Sequence, residues 1–295
     1  HLFHDKLFSN ITFTYSRYSF DIDQGYSSGD YNFGFGYLSG LKDFGTKIDF
    51  EFSPNPRHAI KFGTSYTYHD FFPGQLHLNF DYPNAVIDTL SLDTVFLFSD
   101  DLKAKDGFIY IEDEFKINEK IKVNIGTHLA LFSRRDQSYV KLQPRFSGRY
   151  FINNNWSFKC SYAEMQQNLH LLTNSSVGLP TDIWVPATDS VKPQQSRQGA
   201  FSINTNFLNG LLEMSLECYY KKMEDLVAYK EGSSFFDAEG WESSVEIEGE
   251  GRSYGMELFL QKTKGKTTGW IGYTLSWTDR RFDNINLGDW YPYKY

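Results

Sequence analysis

The 295-residue chain carries only two cysteines, nine prolines and four methionines. It has no apolar run near the roughly 18 residues that a membrane-crossing helix needs. Two cysteines cannot staple a chain of this size, which excludes a disulfide-built scaffold. Positive charge is in deficit: 29 Lys and Arg against 37 Asp and Glu leave a net charge of -8. That balance argues against a nucleic-acid partner. The amino terminus lacks the basic region and apolar core of a signal peptide. No nucleophile elbow, zinc-protease helix or phosphate-binding glycine loop occurs, so no enzymatic activity, cofactor or metal is expected.

Aromatic residues are abundant instead, at 18% with 20 Tyr and 27 Phe, yet the mean hydropathy is only -0.48. Val140 to Tyr150 shows how the two coexist. Val140, Leu142, Pro144, Phe146, Gly148 and Tyr150 alternate with Lys141, Gln143, Arg145, Ser147 and Arg149. A strand sends successive side chains to opposite faces, so one face is oily and the other basic. The same alternation occupies Ile121 to Leu131, Phe201 to Phe207 and Ile271 to Trp277.

Twelve such segments are expected, near 6–19, 31–41, 44–53, 58–71, 105–117, 120–133, 139–151, 155–167, 196–207, 211–223, 252–262 and 266–280. Tight turns rich in Pro, Asn and Gly join many of them, at 53–57, 118–119, 152–155, 208–210 and 264–265. Longer excursions lie near 72–104, 168–195 and 224–251. Short turns on one rim and long loops on the other is the asymmetry of a transmembrane β-barrel, with the short turns periplasmic. A short connection at Gly40 to Gly45 would then fall outside and force the 20–30 connection to the periplasmic side.

A soluble β-sandwich also alternates. Three features favour the barrel. The segments exceed the usual strand of about five or six residues, aromatics gather near strand ends, and the polar faces carry several charges of both signs. The expected fold is therefore all-β: an antiparallel transmembrane barrel in the lipid bilayer, in one domain spanning 1–295. Both ends read as cuts within a longer protein.

The stretches Lys61-Phe62-Gly63 to Tyr68-His69-Asp70-Phe71-Phe72-Pro73, Leu179 to Ala187, Gly249 to Leu258 and Gly269 to Trp277 resemble, in order, TonB-dependent receptors of the Bacteroidetes type. The resemblance implies a 22-stranded barrel around an amino-terminal plug, with about twelve strands present here. It implies import of a scarce nutrient, of siderophore, cobalamin, glycan or peptide class, driven by TonB acting through the plug. Glycan importers of this group pair with a surface lipoprotein, a candidate partner here. The alternatives are an accessory barrel subunit of a larger outer-membrane complex and a soluble β-rich binding module.

Candidate ligand residues are Trp184 with Asp182, on a stiff Pro180 to Pro186 segment, and Tyr68 with His69. Trp184 could equally anchor its loop to the barrel rim. Lys141, Arg145 and Arg149 form a basic row facing the lumen. Glu213, Glu217 and Lys221 form a mixed one, and Lys47, Asp49, Glu51 and Lys61 share two adjacent faces. Interior charges of this kind either line a pathway or pair across neighbouring strands. His1 and His4 read as a fraying end, Asp21-x-Asp23-x-Gly25 as a solvated turn, and Gly34-x-Gly36 as room for neighbouring rings. Cys160 and Cys218 read as small apolar residues on separated strands, not as a disulfide.

An open sheet of this length leaves unpaired edges and lipid-facing rows in water. Expressed alone, the chain is expected to aggregate or to require detergent. A monodisperse, cooperatively melting monomer in plain buffer would overturn the membrane reading.

Overall fold

The computed structural model describes residues 2–29, 31–84, 88–97, 102–173, 182–233 and 241–293. Strands β1 (Leu2–His4), β2 (Leu7–Ser28), β3 (Tyr31–Asn55) and β4 (His58–Asn84) lead into β5 (Asp88–Leu97) and β6 (Leu102–Lys116). Next come β7 (Ile121–Arg134), β8 (Gln137–Phe151) and β9 (Trp156–Gln167). A small pair, β10 (Leu169–Leu172) and β11 (Ile183–Pro186), interrupts the series. The chain then completes β12 (Gln194–Phe207), β13 (Leu212–Tyr229), β14 (Val245–Lys262), β15 (Gly269–Arg281) and β16 (Tyr291–Pro292). All but β10 and β11 join one antiparallel sheet in chain order, with β5 paired to the outer end of β4.

Eleven strands of twelve residues or more (β2, β3, β4, β6, β7, β8, β9, β12, β13, β14 and β15) replace the twelve expected. The difference lies at 40–45. Residues 31–41 and 44–53 are one strand, β3, paired without a break to β2. The Gly40-to-Gly45 turn does not exist, and the link between β2 and β3 lies at 29–30, on the long-loop rim. The periplasmic placement of 20–30 is thereby corrected. Glycine at 40 reflects crowding, since a Cβ there would stand 2.7 Å from the Tyr18 carbonyl oxygen. The 72–104 excursion is likewise mostly strand, taken up by the end of β4 and by β5.

The short turns are held by asparagines. The Asn118 side-chain oxygen accepts from Lys120 N and Ile121 N at 2.8 and 2.9 Å, and Asn153 accepts from Asn155 N and Trp156 N at 2.9 and 3.0 Å. Leu208, Asn209 and Gly210 turn at φ 50°, 57° and 73°. These turns share one rim with 56–57 and 263–268, while the longer connections share the other.

Register carries the apolar rows straight across the sheet. Ile121, Tyr150, Phe158, Ile203, Leu216, Leu258 and Tyr273 stand side by side on seven strands. This face is exposed although it is oily: Phe13 is 78%, Val140 64%, Ile125 62% and Ile271 70% accessible. A water-soluble sheet would cover it. Cys160 and Cys218 are free, with Phe201 of β12 standing between them in register.

Arginine at Leu142, Phe146, Leu216, Tyr273 or Leu275 should destabilise the membrane-embedded full-length protein by about 2–4 kcal/mol near the midplane. Glutamine at Lys141 or Arg145, on the opposite face, should cost much less. Urea-dependent folding into lipid vesicles measures both. Equal losses on the two faces would contradict the assignment of faces.

Candidate functional site

The connection between β9 and β12 folds back as the β10–β11 hairpin, which touches β3 and β4 on one side and β13 on the other. Those strands lie far apart in the sheet order. One small hairpin reaches both only because the sheet curls around it, so this face is the inside.

The hairpin is apolar on both faces. Leu172, Ile183 and Val185 pack with Tyr37, Val191, Val227 and Val245. Leu169, Trp184 and Ala187 pack against Leu41, Phe71, Leu102, Ala104 and Phe132. Trp184 is thus held against the barrel wall, as an anchor of its loop. Asp182 precedes β11 and lies near Tyr18 of β2, on the inner side.

A polar layer ties the hairpin to the wall. Asn168 hydrogen-bonds the Asp106 carboxylate and accepts from Gln166 Nε2 at 2.7 Å. Ala187 N donates to Asn168 O at 2.8 Å. Tyr139 donates its hydroxyl to Thr188 O at 2.6 Å, and Gln194 Nε2 lies 3.0 Å from His170 Nδ1. His69 belongs to this layer, buried and 2.7 Å from Asp43 Oδ1 through Nδ1. Tyr68 does not. It pairs with Phe44 on the outward face, beside Tyr15. Tyr68 and His69 therefore cannot form one ligand site, because adjacent strand residues point to opposite sides. Asp106, Asn168, His170 and Tyr139 were not singled out by the sequence. The short apolar runs Leu169 to Leu172 and Ile183 to Pro186 within a long loop were the signal for them.

Below the hairpin the inner wall is charged. Lys47 and Asp49 pair at 2.9 Å, Tyr110 donates to Asp49 at 2.6 Å, and Lys61 reaches Glu51 at 3.7 Å. Lys122 pairs with Glu114. Pairing across neighbours thus accounts for this part of the wall. Near the short-turn rim it accounts for Lys122 but not for the row that continues from it. Lys122, Arg149 and Lys159 stand side by side on β7, β8 and β9, and the same row continues through Ser202 to Glu217 and Glu257. Basic and acidic residues are segregated along it. Arg149 lies over the Phe151 ring at 4.6 Å and, like Glu217, makes no ion pair among the described residues. These residues line an open recess of about 270 Å³. Arg145 lies on β8 further toward the long-loop rim, and beyond it Lys141 turns to the neighbouring strands, 3.0 Å from Gln195 and 3.8 Å from Glu164. Glu213 stands between Asn206 and Gln261 in register.

Two sequence motifs resolve as structure. Asp23 faces Gly36 in the β2–β3 ladder, so Asp21-x-Asp23-x-Gly25 is strand and not a turn. Gly34 and Gly36 leave room for the Asn79 amide and the Asp23 carboxylate, where rings were expected. His1 and the His4 side chain lie outside the described residues.

Burial pushes the His170 imidazole from its ordinary 6.5 down to about 4. The docked hairpin therefore holds it neutral, while an undocked hairpin would let it protonate near 6.5. Docking should be fully favoured above pH 6.5 and weaken as pH falls from there toward 4, on the order of tenfold between pH 7 and pH 5. Hydrogen exchange across 169–172 in the full-length protein measures this. A His170→Leu variant should lose the pH dependence, and exchange unchanged between the two pH values would refute it.

No curated protein matches the sequence. Among solved structures the chain is similar to the ferric yersiniabactin uptake receptor of Yersinia pestis, at 10% identity and a TM-score of 0.61, covering 96% of this chain and 41% of that one. It is also similar to the ferripyoverdine receptor of the outer membrane of Pseudomonas aeruginosa (13% identity, TM-score 0.59, 97% and 39% covered). A third likeness is to the RagAB peptide transporter (12% identity, TM-score 0.56, 98% and 36% covered). The chain thus spans about 40% of the length of the structures it matches. The family model of the TonB dependent receptor-like beta-barrel matches residues 2–293, and with the membrane-facing rows and the curled sheet this places the chain in that family, in the outer membrane of a Gram-negative bacterium.

Proposed function

We propose that the full-length protein imports a scarce nutrient across the outer membrane, energised by TonB acting through a plug outside this chain. The reading rests on family membership and is carried by one observation: a folded hairpin held inside the barrel mouth above a charged inner wall. An open pore needs no such hairpin. A receptor that must expose a site outward and deliver inward does.

The segregated row supports an occupant of the lumen. Like charges directly opposite one another on neighbouring strands are unfavourable, and Arg149 has cations on both sides. A polar plug with acidic groups toward β7–β9 and basic groups toward β13–β14 would offset both ends of the row. Arg145, Arg149, Glu213 and Glu217 are then wall residues for that plug, while Lys141 is taken up by Gln195 and Glu164. Asp182 remains a candidate ligand contact beside the hairpin, with Trp184 as its support.

The ordered resemblance of several stretches favours a receptor of the Bacteroidetes type, within a 22-stranded barrel and with a surface lipoprotein as a candidate partner. The nutrient class is a siderophore, cobalamin, glycan or peptide.

Uptake of candidate nutrients of these classes should fail in cells lacking TonB, and the purified full-length protein should show little steady conductance. Uptake that survives loss of TonB, with a large conductance, would identify a porin. No uptake, with stable co-purification of other outer-membrane proteins, would favour an accessory subunit.

A further inference from the structure

We infer that the outward wall of β2–β4 carries a binding site for the phosphate of an outer-leaflet glycolipid, centred on Arg17 and Lys42. The inference rests on the outer-membrane location and is independent of what the receptor imports.

The outward face records where the bilayer ends. Tyr162, Tyr220, Tyr254 and Trp277 share one row, with Tyr254 and Trp277 stacked at 5.5 Å. Two residues further along each strand, about 7 Å toward the outer rim, the next outward row is Glu164, Arg197, Lys222, Arg252 and Asp279. Interfacial aromatics followed by charges mark the headgroup level. On β2–β4 the same sequence recurs. Tyr15, Phe44 and Tyr68 form the aromatic row, and Arg17, Lys42 and Asp70 the charged one, continued on β6 by Lys103.

The two charged rows differ in how they are neutralised. On β9–β15 each cation has a carboxylate: Arg252 pairs with Asp279 at 2.9 Å, Lys222 with Glu224 at 2.8 Å, and Arg197 lies 3.9 Å from Glu164. On β2–β4, Arg17 and Lys42 stand directly opposite one another. Neither makes an ion pair among the described residues. Lys42 instead lies over the Phe72 ring at 4.6 Å. Two cations facing each other at a bilayer surface repel unless an anion lies between them.

A recess accompanies this unneutralised pair. Between Leu38 and Gly40 the ladder with β4 slips by one residue, so that Ser39 faces both Pro73 and Gly74. Proline has no N–H to give the ladder, and the bulge opens the outward surface. The opening holds about 240 Å³ and is lined by Arg17, Ser19, Leu38, Lys42, Phe72 and Gln75. Two cations can hold a phosphate, Ser19 and Gln75 can meet sugar hydroxyls, and Leu38 and Phe72 provide an apolar floor. The aromatic row below would run alongside acyl chains. A soluble anion would use the cations but not this continuation into the bilayer.

The test uses the full-length protein in phosphatidylcholine vesicles with or without diphosphorylated lipid A, with retained glycolipid counted by native mass spectrometry after extraction. The wild type should retain lipid A. Arg17→Gln with Lys42→Gln should lower retention at least tenfold, whereas Arg197→Gln with Arg252→Gln should change it less than twofold. Asp70→Asn removes the carboxylate opposite Lys42 and should raise retention, a gain that a misfolded variant cannot mimic. Retention unchanged in the Arg17 and Lys42 double variant, or lowered in Asp70→Asn, would overturn the site. Full displacement of lipid A by millimolar phosphate or pyrophosphate would overturn the glycolipid assignment in favour of a free anion.

Discussion

Inside a bilayer no water is present to satisfy a backbone N–H or carbonyl, so a chain that crosses as strands must pair every one of them with a neighbour. That constraint organises the structure. It explains why eleven long strands follow one another in a single antiparallel sheet in chain order, with tight turns on one rim. A strand that skipped its neighbour would leave two ladders open in hydrocarbon. It also explains the position of the bulge. The break between Leu38 and Gly40 lies just beyond the outward charged row, where water can reach the backbone.

Once the backbone is satisfied, side chains are free to follow the two solvents. The outward face is oily because lipid is there, and rows such as Ile203, Leu216 and Leu258 are continuous because register aligns equal depths. The inner face has no lipid to match, and it accepts both charge and a folded segment. The β10–β11 hairpin uses that freedom. It packs on both faces, and most of the polar groups around it keep partners: Asn168 joins Asp106, Tyr139 meets Thr188 O, and His170 meets Gln194 through Nδ1 while its Nε2 has none among the described residues. Unpaired, such groups would each cost about 1–3 kcal/mol. The polar layer therefore fixes where in the mouth the hairpin can sit, while the apolar contacts hold it there.

Much of this was legible in the sequence, and the failures have physical causes. Period-two alternation is local, so strands such as β8 and β12 were found within a residue or two. The split of β3 arose because Gly40 and Gly45 flank polar Lys42 and Asp43, which is turn chemistry when read locally. In the ladder those glycines admit the Tyr18 carbonyl and the Thr14 hydroxyl from the strand alongside, a contact with no local signature. Tyr68 and His69 looked like one motif because they adjoin in sequence, and adjacency in a strand means opposite faces. The flanking prolines suggested a stiffly held Trp184 but left open whether it met a ligand or anchored its loop, because its partners Leu41 and Phe71 come from β3 and β4, more than a hundred residues earlier. The hairpin itself needed tertiary information, because two four-residue apolar runs signal a covered segment without saying that they pair or which wall they meet.

The distribution of unmatched charge separates the two faces further. Outward, within the charged rows at the headgroup level, the two facing cations without a paired carboxylate among the described residues are Arg17 and Lys42, and an unneutralised charge there must find its counterion among lipid headgroups. Inward, beyond the Lys122–Glu114 pair, the row from Arg149 to Glu257 makes no ion pair among the described residues. A water-filled lumen could screen it, with a Debye length of about 8 Å at physiological salt. A packed lumen could not, and there the row would need matching charges from the occupant. The segregation into a basic side and an acidic side then has a consequence that scattered charges would lack. It defines an orientation about the barrel axis, so that an occupant of complementary charge is aligned by the wall before any close contact forms.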